Sequence, residues 1–143
     1  MADEAVQHIQ LARSTLDEVR AELGRNVHLA RVLIVTAERA VYDALTCAER
    51  MRRYLAIVRG AEINGRWPMT AARQRDDSEH ALIQAMQSLE EAQDLFEALR
   101  DSYQSNFTLA EAVLADMTLA LARARRSIEQ MVRLLTEAAI GRD

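Results

Sequence analysis

Apolar residues recur at intervals of three or four through the last third of the chain. They are Ala110, Val113, Met117, Ala120, Ala124, Ile128, Met131, Leu135 and Ala138. This spacing keeps side chains on one stripe of an α-helix, whereas a strand would send alternate side chains to opposite faces. The last third therefore predicts a long amphipathic helix, and the rest of the chain repeats the same pattern.

Four helical segments follow from this pattern. They cover about 3–23, about 27–58, about 70–103 and a last segment from Thr108 onward. Thr108 and Glu111 fit a capping box at the start of the last helix. Gly24 predicts the end of the first helix, and Asn26 predicts the N-cap of the second. Residues 60–68 predict a loop, because their glycines, asparagine and proline break helices or favour turns.

The segments predict an all-α fold: an antiparallel, up-down four-helix bundle with long, coiled-coil-like helices, in a single domain over residues 1–143. An alternative keeps Gly24 inside a helix and joins the first two segments. The chain then has three helices, and the first is about 80 Å long against about 50 Å for the others. A partner chain would have to cover the extra length. We favour the break at Gly24.

Two segments are apolar on more than one side of their helix. Residues 29–37 contain Arg31 as their one charged residue, and residues 109–122 contain leucines outside the main stripe. A helix that is apolar most of the way round is normally buried on several sides, which a bundle of four helices does not provide. We therefore expect a protein partner or a homo-oligomer, most simply a homodimer. The alternative is a filled monomer core with scattered exposed leucines.

Arginines gather at one end of the predicted bundle, where the second and fourth helices end. A solvated surface of mixed charge is the more common interpretation of such a cluster. In the functional interpretation these arginines, with Trp67 in the neighbouring loop, bind a phosphate-bearing ligand. The candidate binding residues are Arg52, Arg53, Arg59, Trp67, Arg123 and Arg126. The net charge of −4 and the pI of 5.4 do not favour general nucleic-acid binding, which usually needs a strongly basic face.

The sequence contains no residue set that is typical of an enzyme, a metal site or a cofactor site. The three histidines lack the Glu-x-x-His pairs of di-iron bundles, no glycine-rich phosphate loop occurs, and Cys47 is the single cysteine. No uncharged apolar run approaches the roughly 18 residues that a membrane span needs. We therefore expect no metal, no cofactor and no membrane contact, and a cytoplasmic location.

One short motif, from Arg75 to His80, has a chemical interpretation. Its Arg-polar-x-x-x-His spacing resembles the motif of HEPN-type ribonucleases, which are all-helical proteins of about this size. The resemblance covers six residues and implies RNA cleavage. Arg75 would stabilise the phosphate, and His80 would act in the 2′-hydroxyl or leaving-group chemistry. The acidic insert between the two, and Leu82 in place of a tyrosine, depart from the family pattern.

The leading hypothesis is a non-enzymatic helical interaction protein: an adaptor, an assembly factor or a chaperone. It depends on the two broadly apolar segments and on the lack of a catalytic residue set. Two alternatives stay open. One is a HEPN-like ribonuclease that uses Arg75 and His80, and the other is a helical bundle whose cavity binds a small apolar or anionic molecule.

Overall fold

The computed structural model describes residues 1–63 and 72–140, and this part of the chain contains four α-helices and no strand. The helices are α1 (Ala2–Glu22), α2 (Val27–Ile63), α3 (Ala72–Ser102) and α4 (Phe107–Ile140). The all-α class predicted from the apolar spacing is confirmed. The loop predicted over 60–68 is wrong at residues 60–63, which belong to α2; residues 64–68 lie outside the described residues.

The chain turns at Gly24, so α1 and α2 are separate helices. Gly24 has a φ of +75°, a left-handed conformation that costs a residue with a Cβ roughly 1–2 kcal/mol. Space is also short there, because a Cβ on Gly24 would lie 3.4 Å from Phe107 Cε2. The alternative with one fused N-terminal helix is therefore wrong.

Asparagine side chains cap α2 and α4. The Leu29 amide donates to Asn26 Oδ1 at 3.0 Å, and the Leu109 amide donates to Asn106 Oδ1 at 3.1 Å. The cap predicted at Asn26 is confirmed. The capping box predicted at Thr108 is wrong, because α4 begins before that residue. Asn106 takes the N-cap position, for which asparagine ranks above threonine.

We expect Asn26→Ala and Asn106→Ala each to lower the free energy of unfolding by about 1 kcal/mol, since each leaves helix amides without an acceptor. Urea unfolding followed by circular dichroism measures the loss. Thr108→Ala is the control, and its effect should stay below about 0.5 kcal/mol. A larger loss at Thr108 than at Asn106 would contradict the cap assignment.

The second helix pair, α3 and α4, repeats the first pair, α1 and α2, and each residue lies 80 positions after its counterpart. Asn106, for example, is the counterpart of Asn26. The Asn26 amide donates to the Glu22 carbonyl at 3.1 Å, and the Asn106 amide donates to the Ser102 carbonyl at 2.9 Å. Along both pairs, exposed and buried residues occur in the same order at counterpart positions. Identical residues at this separation include Ala5/Ala85, Ala12/Ala92, Arg20/Arg100, Leu29/Leu109, Ala30/Ala110, Ala40/Ala120, Ala44/Ala124, Met51/Met131 and Leu55/Leu135.

The packing of the helices follows the same repeat. α1 packs on α2 and α4, and α3 packs on α4 and α2. In the described part of the chain, no Cα atom of α1 lies within 8 Å of one in α3, and the same holds for α2 and α4. One continuous core lies between the four helices, and Phe96, Leu16 and Ile34 are among its largest fully buried side chains. Each helix therefore has two neighbours and keeps an outer side in solvent.

Candidate functional site

The outer side of α2 carries exposed apolar residues in a line. Val32 is 59% exposed, Val35 60% and Tyr42 52%. Together with Arg39 they follow one another at spacings of three, four and three, which places them within about 80° around the helix axis. Ile57, which is 69% exposed, lies further along the same side. We term Val32, Val35, Arg39 and Tyr42 the α2 face.

Arg39 is the charged member of the α2 face. Its guanidinium carbon lies 5.5 Å from the centroid of the Tyr42 ring, and its Nε lies 3.2 Å from the Asp43 carboxylate. A cation–π contact at an exposed site is worth about 0.5–1 kcal/mol. The two contacts lay the apolar stem of Arg39 along the helix, where it extends the apolar surface beside Tyr42.

The equivalent side of α4 shows what the fold requires at these positions. The residues 80 positions after the α2 face are Ala112, Ala115, Leu119 and Ala122. Ala112 and Ala115 are exposed, as Val32 and Val35 are. Because alanine satisfies the scaffold there, core packing does not explain the larger side chains on α2. Grouped exposed apolar residues of this kind mark interaction surfaces more often than single ones do.

A groove of about 460 Å³ adjoins the α2 face and lies between α2 and the end of α3. Its lining residues are Arg31, Ile34, Val35, Arg100, Asp101, Tyr103, Gln104 and Ser105. Val35 belongs both to the α2 face and to the wall of this groove. We term it the Tyr103 groove, because Tyr103, at 7% exposed, is its most buried polar residue.

The Tyr103 hydroxyl accepts two hydrogen bonds in this groove. Arg31 Nε donates at 3.0 Å, and Gln104 Nε2 donates at 2.6 Å. The hydrogen bond from Arg31 lowers the pKa of Tyr103 below its ordinary value; burial opposes this shift, and the hydrogen bond from Gln104 adds to it. The Tyr103 oxygen thus fixes the Arg31 guanidinium at one nitrogen, and the hydroxyl proton can be donated to a group that enters the groove.

We expect Tyr103 to ionise below the ordinary tyrosine pKa of about 10. The Arg31 hydrogen bond stabilises the phenolate. The ionisation of Tyr103 should therefore be absent in Tyr103→Phe and should move to higher pH in Arg31→Gln. A pKa lowered by folding adds stability as pH rises towards the unfolded value, and that stability is lost as pH falls through the folded value. Tyrosinate absorbance measured against pH checks the step. A titration that Tyr103→Phe leaves unchanged in shape would contradict it.

The predicted arginine set is divided between two helices. It separates into Arg52, Arg53 and Arg59 on α2 and Arg123 and Arg126 on α4. In the part of the chain that the structure describes, these two helices have no Cα atoms within 8 Å of each other. Trp67 lies outside the described residues. The structure therefore does not bring the set together in one place, and its binding role stays a prediction.

Most of the described arginines in this set have acidic neighbours. Arg59 lies 2.9 Å from Asp76 and 3.2 Å from Glu79, which ties the end of α2 to the start of α3. Arg123 lies 3.9 Å from Glu91. The other two α2 arginines of the set pair with a glutamate of their own helix. An incoming anion would have to compete with these carboxylates.

Arg75 and His80 both lie on α3, five residues and therefore about 140° apart around its axis. The Arg75 side chain is 14% exposed and lies 3.5 Å from Asp76. His80 is exposed, with its Nε2 3.2 Å from the Gln84 amide nitrogen. The helix thus directs the two side chains to different sides, and the ribonuclease role stays a prediction.

Cys47 is buried between α1 and α2, where its Sγ donates to Glu4 Oε2 at 3.8 Å. Burial raises the pKa of Cys47, and the negative charge of Glu4 raises it further. A thiol with a raised pKa is a poor nucleophile at neutral pH. Cys47 therefore packs between the two helices, where its raised pKa does not favour the thiolate.

Residues 1–63 and 72–140 lack two kinds of feature. This part of the chain holds no group of three or more His, Cys, Asp or Glu side chains placed to bind a metal ion. None of the described helices has a stretch long and apolar enough to cross a membrane.

Comparison of the chain with protein-family models, with curated proteins and with solved structures gave no match in any of the three. In the described part of the chain, the α2 face and the Tyr103 groove are two features that the scaffold does not explain.

Sequence reasoning missed the Tyr103 groove. Its two central residues are 72 positions apart, and spacing along a helix predicts only that Tyr103 lies inward. One signal was present in the sequence. At the equivalent repeat positions Leu23 replaces Tyr103 and Glu111 replaces Arg31, so both members of the pair differ from their counterparts. The difference can be recognised once the two helix pairs are aligned at the separation of 80 residues.

Proposed function

We propose that this chain is a non-enzymatic helical interaction protein, acting as an adaptor, an assembly factor or a chaperone, and that it docks an apolar helix of a protein partner on the α2 face. The observation that supports the proposal is the exposure of Val32, Val35 and Tyr42 on one side of α2, at positions where α4 has alanine. A partner helix would meet this face through apolar residues at spacings of three and four.

The scaffold we infer is an antiparallel, up-down bundle. Three contacts support it. Near the start of α1, Glu4 accepts a hydrogen bond from Cys47, late in α2. Arg59 near the end of α2 pairs with Asp76 near the start of α3. Early in α2, Arg31 donates to Tyr103, just after α3 ends. Such a bundle is rigid along its length and presents the α2 face as a preformed surface.

A second copy of the chain is the other occupant that an apolar face admits, in a coiled-coil-like homodimer. Light scattering coupled to size exclusion distinguishes the two cases. A particle near the chain mass of 16.1 kDa leaves the α2 face open for a different protein, and a persistent dimer that the α2-face variants dissolve would make the chain its own partner.

The repeat supplies a matched pair of variants for the test. Val32→Glu with Val35→Glu charges the α2 face, and Ala112→Glu with Ala115→Glu places the same charges at the equivalent positions of α4. We expect proteins captured from native cell extract to bind the wild type and the α4 variant and to lose at least about tenfold in affinity for the α2 variant, as hot-spot residues do. Equal capture by all three chains would contradict the proposal.

A further inference from the structure

The α2 helix differs from the other helices in charge. Its arginines are Arg31, Arg39, Arg50, Arg52, Arg53 and Arg59, and its acids are Glu38, Asp43, Glu49 and Glu62, which leaves a net charge of +2. α1 has a net charge of −3, α3 of −5 and α4 of zero by the same count. The excess of arginine lies in the second half of α2, whereas residues 31–43 around the α2 face have two arginines and two acids. Of these four, Arg39 pairs with Asp43 and Glu38 pairs with Arg100, which leaves Arg31, among the described residues, as the charge without an acidic partner beside the α2 face.

Arg31 differs from its neighbours on α2 in its partners. The side chains of Arg39, Arg52, Arg53 and Arg59 each lie within ion-pair distance of a carboxylate. In the described part of the chain Arg31 and Arg50 form no such pair, and Arg31 is the one of these two whose Nε donates to the Tyr103 hydroxyl. Arg100, across the groove, is already paired with Glu38. Arg31 is thus a held guanidinium with its two terminal nitrogens left for a carboxylate, which can accept from both at once.

The repeat indicates that the fold does not need this arrangement. Where the first pair of helices meets α4, the counterparts of Tyr103 and Arg31 are Leu23 and Glu111. An apolar residue and an acid satisfy the scaffold there. The shared scaffold therefore does not by itself require the polar pair at Tyr103 and Arg31.

We propose that the partner on the α2 face is an acidic amphipathic helix, one of whose carboxylates enters the Tyr103 groove and is bound by Arg31. This inference rests on the proposed function and adds the chemistry of the partner. Arg31 stands one helical turn before Val35, so a partner helix packed on Val35 has its flanking residues within reach of the groove. Asp101 also lies in the groove lining and repels any incoming carboxylate, so the partner's carboxylate has to bind on the Arg31 side of the groove.

The test uses three fluorescein-labelled helical peptides of about 18 residues. All three have the same leucine face, and their flanking positions are glutamate, glutamine or lysine. Fluorescence anisotropy measures their affinity for the full-length chain, for Arg31→Gln and for Glu111→Gln, the matched change at the equivalent position of α4. The α2 variant Val35→Glu completes the set, and circular dichroism confirms that each variant is folded.

We expect the glutamate peptide to bind the wild type about tenfold more tightly than the glutamine peptide, which is the scale of a bidentate charge-assisted contact. Arg31→Gln should remove this preference, Glu111→Gln should keep it, and Val35→Glu should weaken every peptide. Tyr103→Phe, which frees the guanidinium without removing its charge, should reduce the preference only in part.

The outcomes separate the two proposals. If the glutamate and glutamine peptides bind the wild type equally and Val35→Glu weakens both, the acidic partner is overturned and the docking face stands. The same holds if Arg31→Gln keeps the preference for glutamate. If no peptide binds, or if Val35→Glu changes nothing, both the docking face and its acidic partner are overturned.

Discussion

Phe96→Ala should lower the free energy of unfolding by about 4 kcal/mol. Phe96 is fully buried, so the substitution removes a whole aromatic ring from the core and leaves a cavity that the surrounding helices fill only in part. Domains of this size are stabilised by about 5–15 kcal/mol in total. Urea unfolding followed by circular dichroism should show the midpoint falling to a much lower concentration while the slope stays the same.

The repeat supplies the control for this prediction. Leu16 is the counterpart of Phe96 in the first helix pair and is 1% exposed, so Leu16→Ala should cost about 3 kcal/mol. Ile83 lies on the same helix as Phe96 but is 42% exposed, and Ile83→Ala should change stability by less than about 0.5 kcal/mol. A loss below about 1 kcal/mol at Phe96 would contradict the core described here, since no close-packed interior tolerates such a deletion.

The number and order of the helices could be predicted from the sequence because the apolar spacing is local information. The turn at Gly24 could be predicted for the same reason: glycine before an asparagine cap is a short-range pattern. The end of α2 was harder to predict from the sequence. Gly60 costs a helix only about 1 kcal/mol, which the rest of this long helix absorbs, and α2 continues to Ile63.

The start of α4 shows a different limit. Asn106 and Thr108 stand two residues apart, and both are good N-cap residues. The capping-box pattern favours Thr108, but Asn106 holds the cap in the structure. Local patterns narrowed the start of the helix to two positions, and the turn that connects α3 to α4 decides between them.

The candidate site was harder to predict than the helices. The sequence predicts interfaces at residues 29–37 and 109–122, because both segments are apolar on several sides. In the structure Ile34 and Leu114 face the core, whereas Val32 and Leu119 are exposed. When a helix is apolar on most sides, its sequence does not indicate which side is buried. The neighbouring helices determine which side is buried, and they also bring Arg31 to Tyr103.

Ile34→Glu and Val35→Glu test most directly which side of α2 is buried, because they place the same charge on neighbouring residues of the helix. Ile34 is 1% exposed and Val35 is 60% exposed. A carboxylate at Ile34 would lie in the core without a partner, which should cost about 4 kcal/mol or more. At Val35 the carboxylate stays in water, and stability should change by less than about 0.5 kcal/mol.

Thermal unfolding followed by circular dichroism compares the two variants. We expect Ile34→Glu to be unfolded or to melt far below the wild type, and Val35→Glu to melt close to the wild type. Equal losses at both positions would mean that Val35 is covered in solution, as it would be in a persistent dimer. A normal melting temperature for Val35→Glu, together with lost partner binding, would mean that Val35 serves recognition rather than folding. The adjacent residue, Ile34, would then mark the boundary between the core and the docking surface.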